Sequence, residues 1–557
     1  MSGHDFKGTD LRRRAVLALG LAAGAGSLLA PAFTARAQGR PAGPPSKPRG
    51  QVVAGISQEP TVFNPLMPGS EVDQGVWWQV FSPLWFIDPE GRAVPDLARE
   101  VPGVANGGIS PDGLNWKIRL RTDAKWHDGT PFTAEDVKFT LDLINTPGFR
   151  ARNRVGHDLV KDITVVAPDE IHWRMERAYS PYLSILALTF IVPKHLLGQV
   201  SDPNTAPFNS APVGTGPFRW GERVAGDRML VQANPAYHGA GPHLERVVFK
   251  YIPDLTALYT QFRTGQVDYL GIGGIPPHAA KEAEGLKGRK VFRSPTPFIE
   301  HIALNLEFGP FADKAVREAL YLAMDKQARI DAIYYGLPVA TESFLPRQSW
   351  AFEPELPVHR HDPAKANTLL DAAGWKRGSD GVRQKDGMRL AFSNSTTTGN
   401  PAREQSQQLL QQDWGQIGAE MKIANMPAAV IWGEFWQKSK FESVTVGSNF
   451  MVGNDPDVTP RFGSKSIPAK QGAGLNTYQY QNAELDGLLE LGASQFDQHE
   501  RRKTYGRIQR IVRDDLVLLP VYQSVMVEGV KEGLSGFAAN INCSSNCWNL
   551  RDWYWAA

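Results

Sequence analysis

The sequence predicts an α/β fold, and three observations carry the prediction. Between Leu114 and Ile144 a strand of alternating apolar and polar residues turns into a capped amphipathic helix. The same order returns from His301 to Leu320, and again from the strand Met388–Phe392 into a helix that begins near Pro401. The chain has 557 residues and 61.4 kDa, enough to bury a sizeable core spread over two or three domains.

At the N-terminus, Arg12, Arg13 and Arg14 precede a charge-free run from Ala15 to Ala35 that is rich in Ala, Leu and Gly. Ala35-Arg36-Ala37 then offers small residues where a signal peptidase cuts. Residues 1–37 therefore read as a signal peptide, not a membrane anchor. The paired arginines followed by Val16 and Leu17 point to the twin-arginine route, with an ordinary Sec signal as the alternative. No cysteine lies near the cleavage site, so no lipid anchor is expected and the mature chain should be free in a periplasm. The formal net charge is +2, and the basic excess of the first 37 residues leaves the remainder at about −1. That balance implies neither nucleic acid nor an anionic membrane surface. Residues 38–50 are a Pro/Gly linker.

The fold is expected to begin with a strand at Gln51–Ala54, followed by Glu59-Pro60-Thr61-Val62-Phe63-Asn64-Pro65-Leu66. Trp77, Trp78, Trp85 and Phe86 flank Ser82-Pro83-Leu84 and read as core. In Asn115–Leu120, Trp116, Ile118 and Leu120 share one face of a half-buried strand. Asp128-Gly129-Thr130-Pro131 supplies the turn, Thr133 the N-cap with Asp136 closing a capping box, and Val137, Leu141 and Ile144 the buried stripe. Val213-Gly214-Thr215-Gly216-Pro217-Phe218 is Gly-rich, but no Lys-Ser/Thr follows and Pro217 prevents a helix from opening, so it reads as a structural turn. Asp254 caps a helix carrying Leu258 and Phe262; Asp313 caps one carrying Val316, Leu320 and Ala323. Asp362 caps a third, with Pro363 in its first turn, ending at Gly374-Trp375.

Enzyme signatures are absent: there is no H-E-x-x-H, no G-x-S-x-G, no P-loop and no paired Cys and His nucleophile. His359 and His361 lack a third ligand at metal spacing, so a solvated loop is expected there and no metal or cofactor is implied. Cys543 and Cys547 are the only cysteines, and in an oxidising compartment a local disulfide between them is the leading expectation.

Taken together, Lys125-Trp126-His127-Asp128-Gly129-Thr130-Pro131, Glu59–Leu66, Val213–Phe218, Asn234-Pro235-Ala236-Tyr237, Pro253–Leu258 and Phe311–Leu320 resemble the extracytoplasmic solute-binding proteins of ABC importers, in the peptide/nickel/opine-type family 5. The resemblance spans essentially the whole mature chain in order. It implies an α/β, two-lobed periplasmic binding protein fold with a hinge and an extra subdomain in the first lobe. By analogy, lobe I comprises 50–77, 196–296 and 526–557, the subdomain 78–195 and lobe II 297–525. The implied partners are a small-molecule or short-peptide ligand and a membrane ABC permease, for a monomeric protein without catalysis. A twin-arginine-exported enzyme, or a sensory or chaperone-like binding protein on the same fold, is the alternative.

The resemblance also nominates ligand contacts. The loop after Asn64-Pro65 borders the cleft in this family, which makes Met67, Asp73 and Gln74 candidates. Asn400 and Arg403 open a helix whose N-terminus suits an anion, with a solvent-facing arginine as the alternative. Asn449, Phe450, Met451 and Val452 resemble the segment that lines the cleft ahead of Asp455-Pro456-Asp457. Many peptide-binding relatives carry an Asp for the ligand's α-ammonium where this chain has Val452, and a buried ammonium would have no partner there. An anionic ligand without a free α-ammonium is therefore expected.

Overall fold

Two long strands, Arg289–Leu304 and Leu518–Lys531, run antiparallel through the middle of an 11-stranded sheet. In this computed structural model residues 43–543 and 545–556 are described; the expected signal peptide and the start of the linker lie outside them. Arg289 lies opposite Lys531 and Ala303 opposite Leu518, but the register shifts between Pro295 and Ile299 and again between Glu300 and His301. Pro295 and Pro297 remove two ladder donors at that point, which is why the pairing slips there.

The slip divides the sheet. On one side Leu518–Lys531 pairs with Tyr269–Leu270, which leads to Gln51–Ile56, Arg246–Tyr251 and the strands around Arg228–Ala233. On the other, Arg289–Leu304 pairs with Ser443–Asn449, and that strand with Ala391–Ser395. Separate apolar cores match these halves. Val52, Trp77, Phe249 and Trp553 belong to one, while Ile302, Leu320, Trp375 and Trp414 belong to another. A further core built on Trp85, Trp116, Trp126 and Trp173 fills the segment between them in sequence.

That last core holds the strand and helix on which the sequence reading began. Asn115–Arg119 is the edge of a three-stranded antiparallel sheet, with Trp116 and Ile118 each 1% exposed. The helix Ala134–Asn145 starts at Thr133, whose backbone N–H donates to Asp136 Oδ2 at 3.0 Å, and it buries Val137, Leu141 and Ile144. Asp136 also accepts from the Lys194 backbone N–H at 3.0 Å, and burial raises its pKa. Asp254, Asp313 and Asp362 cap their helices, each accepting a backbone N–H in the first turn.

The motifs at 125–131 and 213–218 lock onto each other. His127 Nδ1 accepts the Gly214 N–H at 3.2 Å, which leaves Nε2 to donate to the Gly216 carbonyl at 3.1 Å. Burial holds this imidazole neutral, with its pKa lowered to about 4. A Cβ on Gly214 would sit 1.7 Å from the Val80 carbonyl oxygen, so only glycine fits. The Gly-rich segment is a structural turn.

One expectation is corrected here. Cys543 and Cys547 are both free and buried. Cys543 Sγ accepts from Asn540 Nδ2 at 3.1 Å and contacts the Ile87 carbonyl at 3.6 Å. Cys547 instead lies against Gly75, where a Cβ would meet its Sγ at 4.0 Å. The two sulfurs are held by different neighbours, and burial pushes the Cys547 thiol up to about 12.

Candidate ligand-binding cavity

A cavity of about 1220 Å³ opens between residues 144–189 and residues 449–493. One wall comes from Pro65 and Leu66, in the Asn64-Pro65-Leu66 stretch, the end of the helix Ala134–Asn145, the loop through Arg152 and His157, and the segment around Tyr179. The facing wall begins where Ser443–Asn449 leaves the sheet and continues through Thr459–Phe462 to the helix Ala483–Ser494. Direct hydrogen bonds join the walls. Tyr179 Oη donates to Asp457 Oδ2 at 2.9 Å, Ser184 Oγ donates to Asn454 Oδ1 at 2.6 Å, and the Ser180 backbone N–H donates to the Ala493 carbonyl at 2.8 Å.

The turn at 451–457 is built for this contact. Val452 and Asp455 exchange backbone hydrogen bonds at 2.9 and 3.0 Å, and Gly453 sits at φ +65 with no room for a side chain, since a Cβ would lie 2.9 Å from the Ser184 carbonyl oxygen. Asp455 is clamped by Arg501 through two hydrogen bonds of 2.8 Å, both groups being buried. Asp457 accepts from Tyr179 and from the Thr459 N–H at 3.0 Å, and burial raises its pKa. The acids of the Asp-Pro-Asp segment thus hold the wall's shape.

The nominated contacts divide. Asn449, Phe450, Met451 and Val452 line the cavity. Phe450 stacks on Phe462 at 5.8 Å, and Val452 packs against the tryptophan-rich core of the opposite wall. Met67, Asp73, Gln74, Asn400 and Arg403 are not among its lining residues. Met67 packs on the core that contains Trp77, and Gln74 is 8% exposed within the helix Glu71–Val80. Asp73 is fully employed: it accepts the N–H groups of Thr61 and Ser70 at 2.7 Å and of Val62 at 3.0 Å. Asn400 caps the helix Pro401–Gln416, accepting the Arg403 N–H at 3.1 Å. The Arg403 guanidinium is neither solvent-facing nor free: it forms a two-pronged pair with Glu300 at 2.7 and 2.9 Å. The helix N-terminus is therefore satisfied from within.

Sequence reasoning missed the cavity's basic groups. Arg152, Arg177, Arg461 and Lys465 all line it. Arg152 lies over the Trp77 ring at 5.3 Å and Arg461 over Phe450 at 5.5 Å; Arg461 Nη2 also donates to the Asn449 carbonyl at 3.2 Å. Burial lowers both guanidinium pKa values, and among the described residues no carboxylate offsets it. His157 is a neutral part of the same wall: Tyr182 Oη lies 3.1 Å from Nδ1, Thr189 Oγ1 lies 3.3 Å from Nε2, and burial lowers its pKa to about 4. His359, set apart as a loop residue by sequence, has Nε2 2.7 Å from the Tyr321 carbonyl, in a separate pocket of about 310 Å³.

Comparison with known proteins agrees with this architecture. The family model for bacterial extracellular solute-binding proteins, family 5 middle, matches residues 92–469. The oligopeptide-binding protein AppA of Bacillus subtilis is 26% identical over 555 residues, covering 97% of each chain. Protein XP55 of Streptomyces lividans is 30% identical over 468 residues, covering 83% of this chain and 82% of that protein. The solved structure of AppA with a nonapeptide superposes with a TM-score of 0.75, covering 93% of this chain and 100% of that one. NikZ of Campylobacter jejuni with Ni(L-His) has a TM-score of 0.76 at 25% identity, covering 91% of this chain and 99% of that one. The fold is that of a two-lobed periplasmic binding protein.

Proposed function

Because the chain belongs to the bacterial extracellular solute-binding proteins, family 5, we propose that it captures a solute between the walls at 144–189 and 449–493 and hands it to an ABC permease. The cavity of about 1220 Å³ is the observation that carries this reading. It is larger than the roughly 300–1,000 Å³ of a typical small-molecule pocket, which suits a peptide-like, opine-like or other carboxylate-bearing solute. AppA with its nonapeptide and NikZ with Ni(L-His) set the range of ligands that related proteins hold.

The hinge of this reading is the register slip at Pro295–Ile299, where the sheet's two halves meet. Lobe I then comprises 50–77, 196–296 and 526–557, lobe II 297–525, and the subdomain 78–195 supplies one cavity wall. Residues 1–37 would direct export by the twin-arginine or Sec route, and the mature protein would work as a periplasmic monomer. Asn449, Phe450, Met451 and Val452 remain the nominated contacts. No helix among the described residues is long and apolar enough to cross a membrane.

Denaturing mass spectrometry of the compound that co-purifies, followed by calorimetry and small-angle scattering, tests the proposal. A cognate ligand at about 100 times its dissociation constant should stabilise the protein by roughly 2.7 kcal/mol and compact it. Chemical conversion of the bound compound, or tight binding without compaction, would contradict it.

A further inference from the structure

We infer that Arg152 and Arg461, one on each wall of the cavity, form a seat for an anionic group of the ligand, and that the anion between them draws the walls together. This inference rests on the capture reading and names what the cavity selects.

Both side chains are half-buried and both place the guanidinium carbon over an aromatic ring, Arg152 on Trp77 at 5.3 Å and Arg461 on Phe450 at 5.5 Å. A contact with a ring face uses none of a guanidinium's five N–H donors, and of these only one of Arg461's is taken, by the Asn449 carbonyl. Among the described residues neither is paired with a carboxylate, although an arginine stays charged throughout the physiological range. A desolvated charge without a counter-charge is expensive, and proteins normally neutralise it. Elsewhere this protein does so: Arg403 has Glu300 and Arg501 has Asp455.

The cavity's own acids do not fill the gap. Asp457 is taken up by Tyr179 and Thr459, and Asp486 accepts the Ser464 N–H at 2.8 Å. Asp158 and Glu490 are exposed and leave the inner charge uncompensated, but they could receive a ligand's cationic end. Arg152 and Arg461 carry like charges on walls that hydrogen bonds already join, and an anion that reached both would offset their mutual repulsion. Carboxylates and phosphates match the donor fork of arginine and are the chemical class expected.

The test is calorimetry on the full exported chain with matched probes: L-alanyl-L-alanine and its C-terminal amide, N-acetylglycine and its amide, succinate and succinamide, glycerol 3-phosphate and glycerol. At least one anion should bind, with its neutral counterpart at least tenfold weaker. Arg152→Ala and Arg461→Ala should each raise the Kd for that anion tenfold or more. Arg461→Lys should retain more affinity than Arg461→Ala, which separates lost charge from lost packing. Arg507→Ala, an exposed residue paired with Glu484, should change nothing. Equal affinity for neutral probes, or an unchanged Kd in both alanine variants, would overturn the anion seat. If neutral solutes bind and compact the protein in small-angle scattering, the capture reading stands and the seat alone falls. Binding by no probe would overturn both.

Discussion

Two helical arginines in the second half of the chain, Arg403 and Arg461, differ in one respect that assigns them different work. Arg403 meets Glu300 through two hydrogen bonds of 2.7 and 2.9 Å, and Glu300 is 6% exposed. Arg461 has an aromatic face, a backbone carbonyl and, among the described residues, no carboxylate. Both are desolvated, yet the Arg403 pKa is raised, chiefly by the Glu300 pair, while that of Arg461 falls. A buried charge with its partner supplied by the chain is a strut. One without a partner is waiting for a ligand.

Acid should perturb this comparison most. His301 faces both arginines: its Nδ1 lies 3.0 Å from the Ile299 carbonyl and its Nε2 3.0 Å from Tyr478 Oη, and burial ahead of the arginine charges lowers its pKa to about 3. His127, His157 and His359 are lowered to about 4. Each folded pKa lies below the unfolded value of about 6.5, so the folded state binds fewer protons. The stability these groups contribute is full above pH 6.5 and is lost as pH falls towards 4, by at most about 1.4 kcal/mol per group and pH unit. Glu71 acts in the opposite sense. Burial beside Glu528 raises it to about 7, so its contribution is present below pH 4.5 and lost as pH rises through 7. Asp136, Asp457, Glu528 and Asp552 are also raised by burial and act with Glu71, so urea titrations between pH 7 and 4.5 should show a net loss smaller than the four histidines alone would give. A flat profile would mean that the histidines are charged or solvated.

Next in size is Arg501→Ala. It leaves the Asp455 carboxylate buried without its two donors and should cost about 3–5 kcal/mol. Because Asp455 sets the 452–455 turn, solute binding should weaken as well. Equilibrium denaturation of the variant measures the first effect and calorimetry the second. A loss below about 1 kcal/mol would show that the pair is solvated and that burial is a poor guide to which arginines are struts.

Much of this was legible in the sequence because it is local. Thr133, Asp254, Asp313 and Asp362 cap helices through neighbours a few residues away, and Asp128-Gly129-Thr130-Pro131 makes its turn with its own atoms. The site was less so. Asp73 looked available because its three backbone donors are contributed by the folded loop before the helix, not by any motif. Arg403 looked available because Glu300 lies 103 residues away in sequence and meets it only across the sheet. Arg152 was hidden for the opposite reason. In a run with Arg150 and Arg154 it reads as a solvated loop, and only the fold lays it on Trp77. Arg461, six residues beyond Asp455, could have been flagged as a cation following a cleft-lining segment, but its stacking on Phe450 was not readable.

The comparison can be sharpened from the strut side. Glu300→Gln removes the charge that Arg403 answers while keeping the shape, and should destabilise by about 1–3 kcal/mol, the penalty for a charged hydrogen bond lost in a part-buried site. Solute affinity should move less than threefold, since neither residue lines the cavity. Arg461→Ala should show the reverse pattern, with a large effect on Kd and a small one on the urea midpoint. If Glu300→Gln changed Kd tenfold, Arg403 would belong to the site and the division drawn here would fail.

The smallest effect is expected at Arg177, and it bounds the anion seat. Arg177 lines the same cavity and lies over the Tyr179 ring at 5.1 Å, as Arg461 lies over Phe450, but it is exposed. Its charge is therefore already solvated and screened within about 10 Å at 0.1 M salt, and an anion gains little from it. Arg177→Ala should raise the Kd of an anionic solute less than threefold, with that small change vanishing at high salt. The tenfold losses in Arg152→Ala and Arg461→Ala should persist there, because half-buried charges are screened less. Calorimetry of the three variants at low and high ionic strength reads both features at once. A salt-insensitive, tenfold loss in Arg177→Ala would show that burial is not what separates these guanidinium groups, and the seat would have to be redrawn around three arginines instead of two.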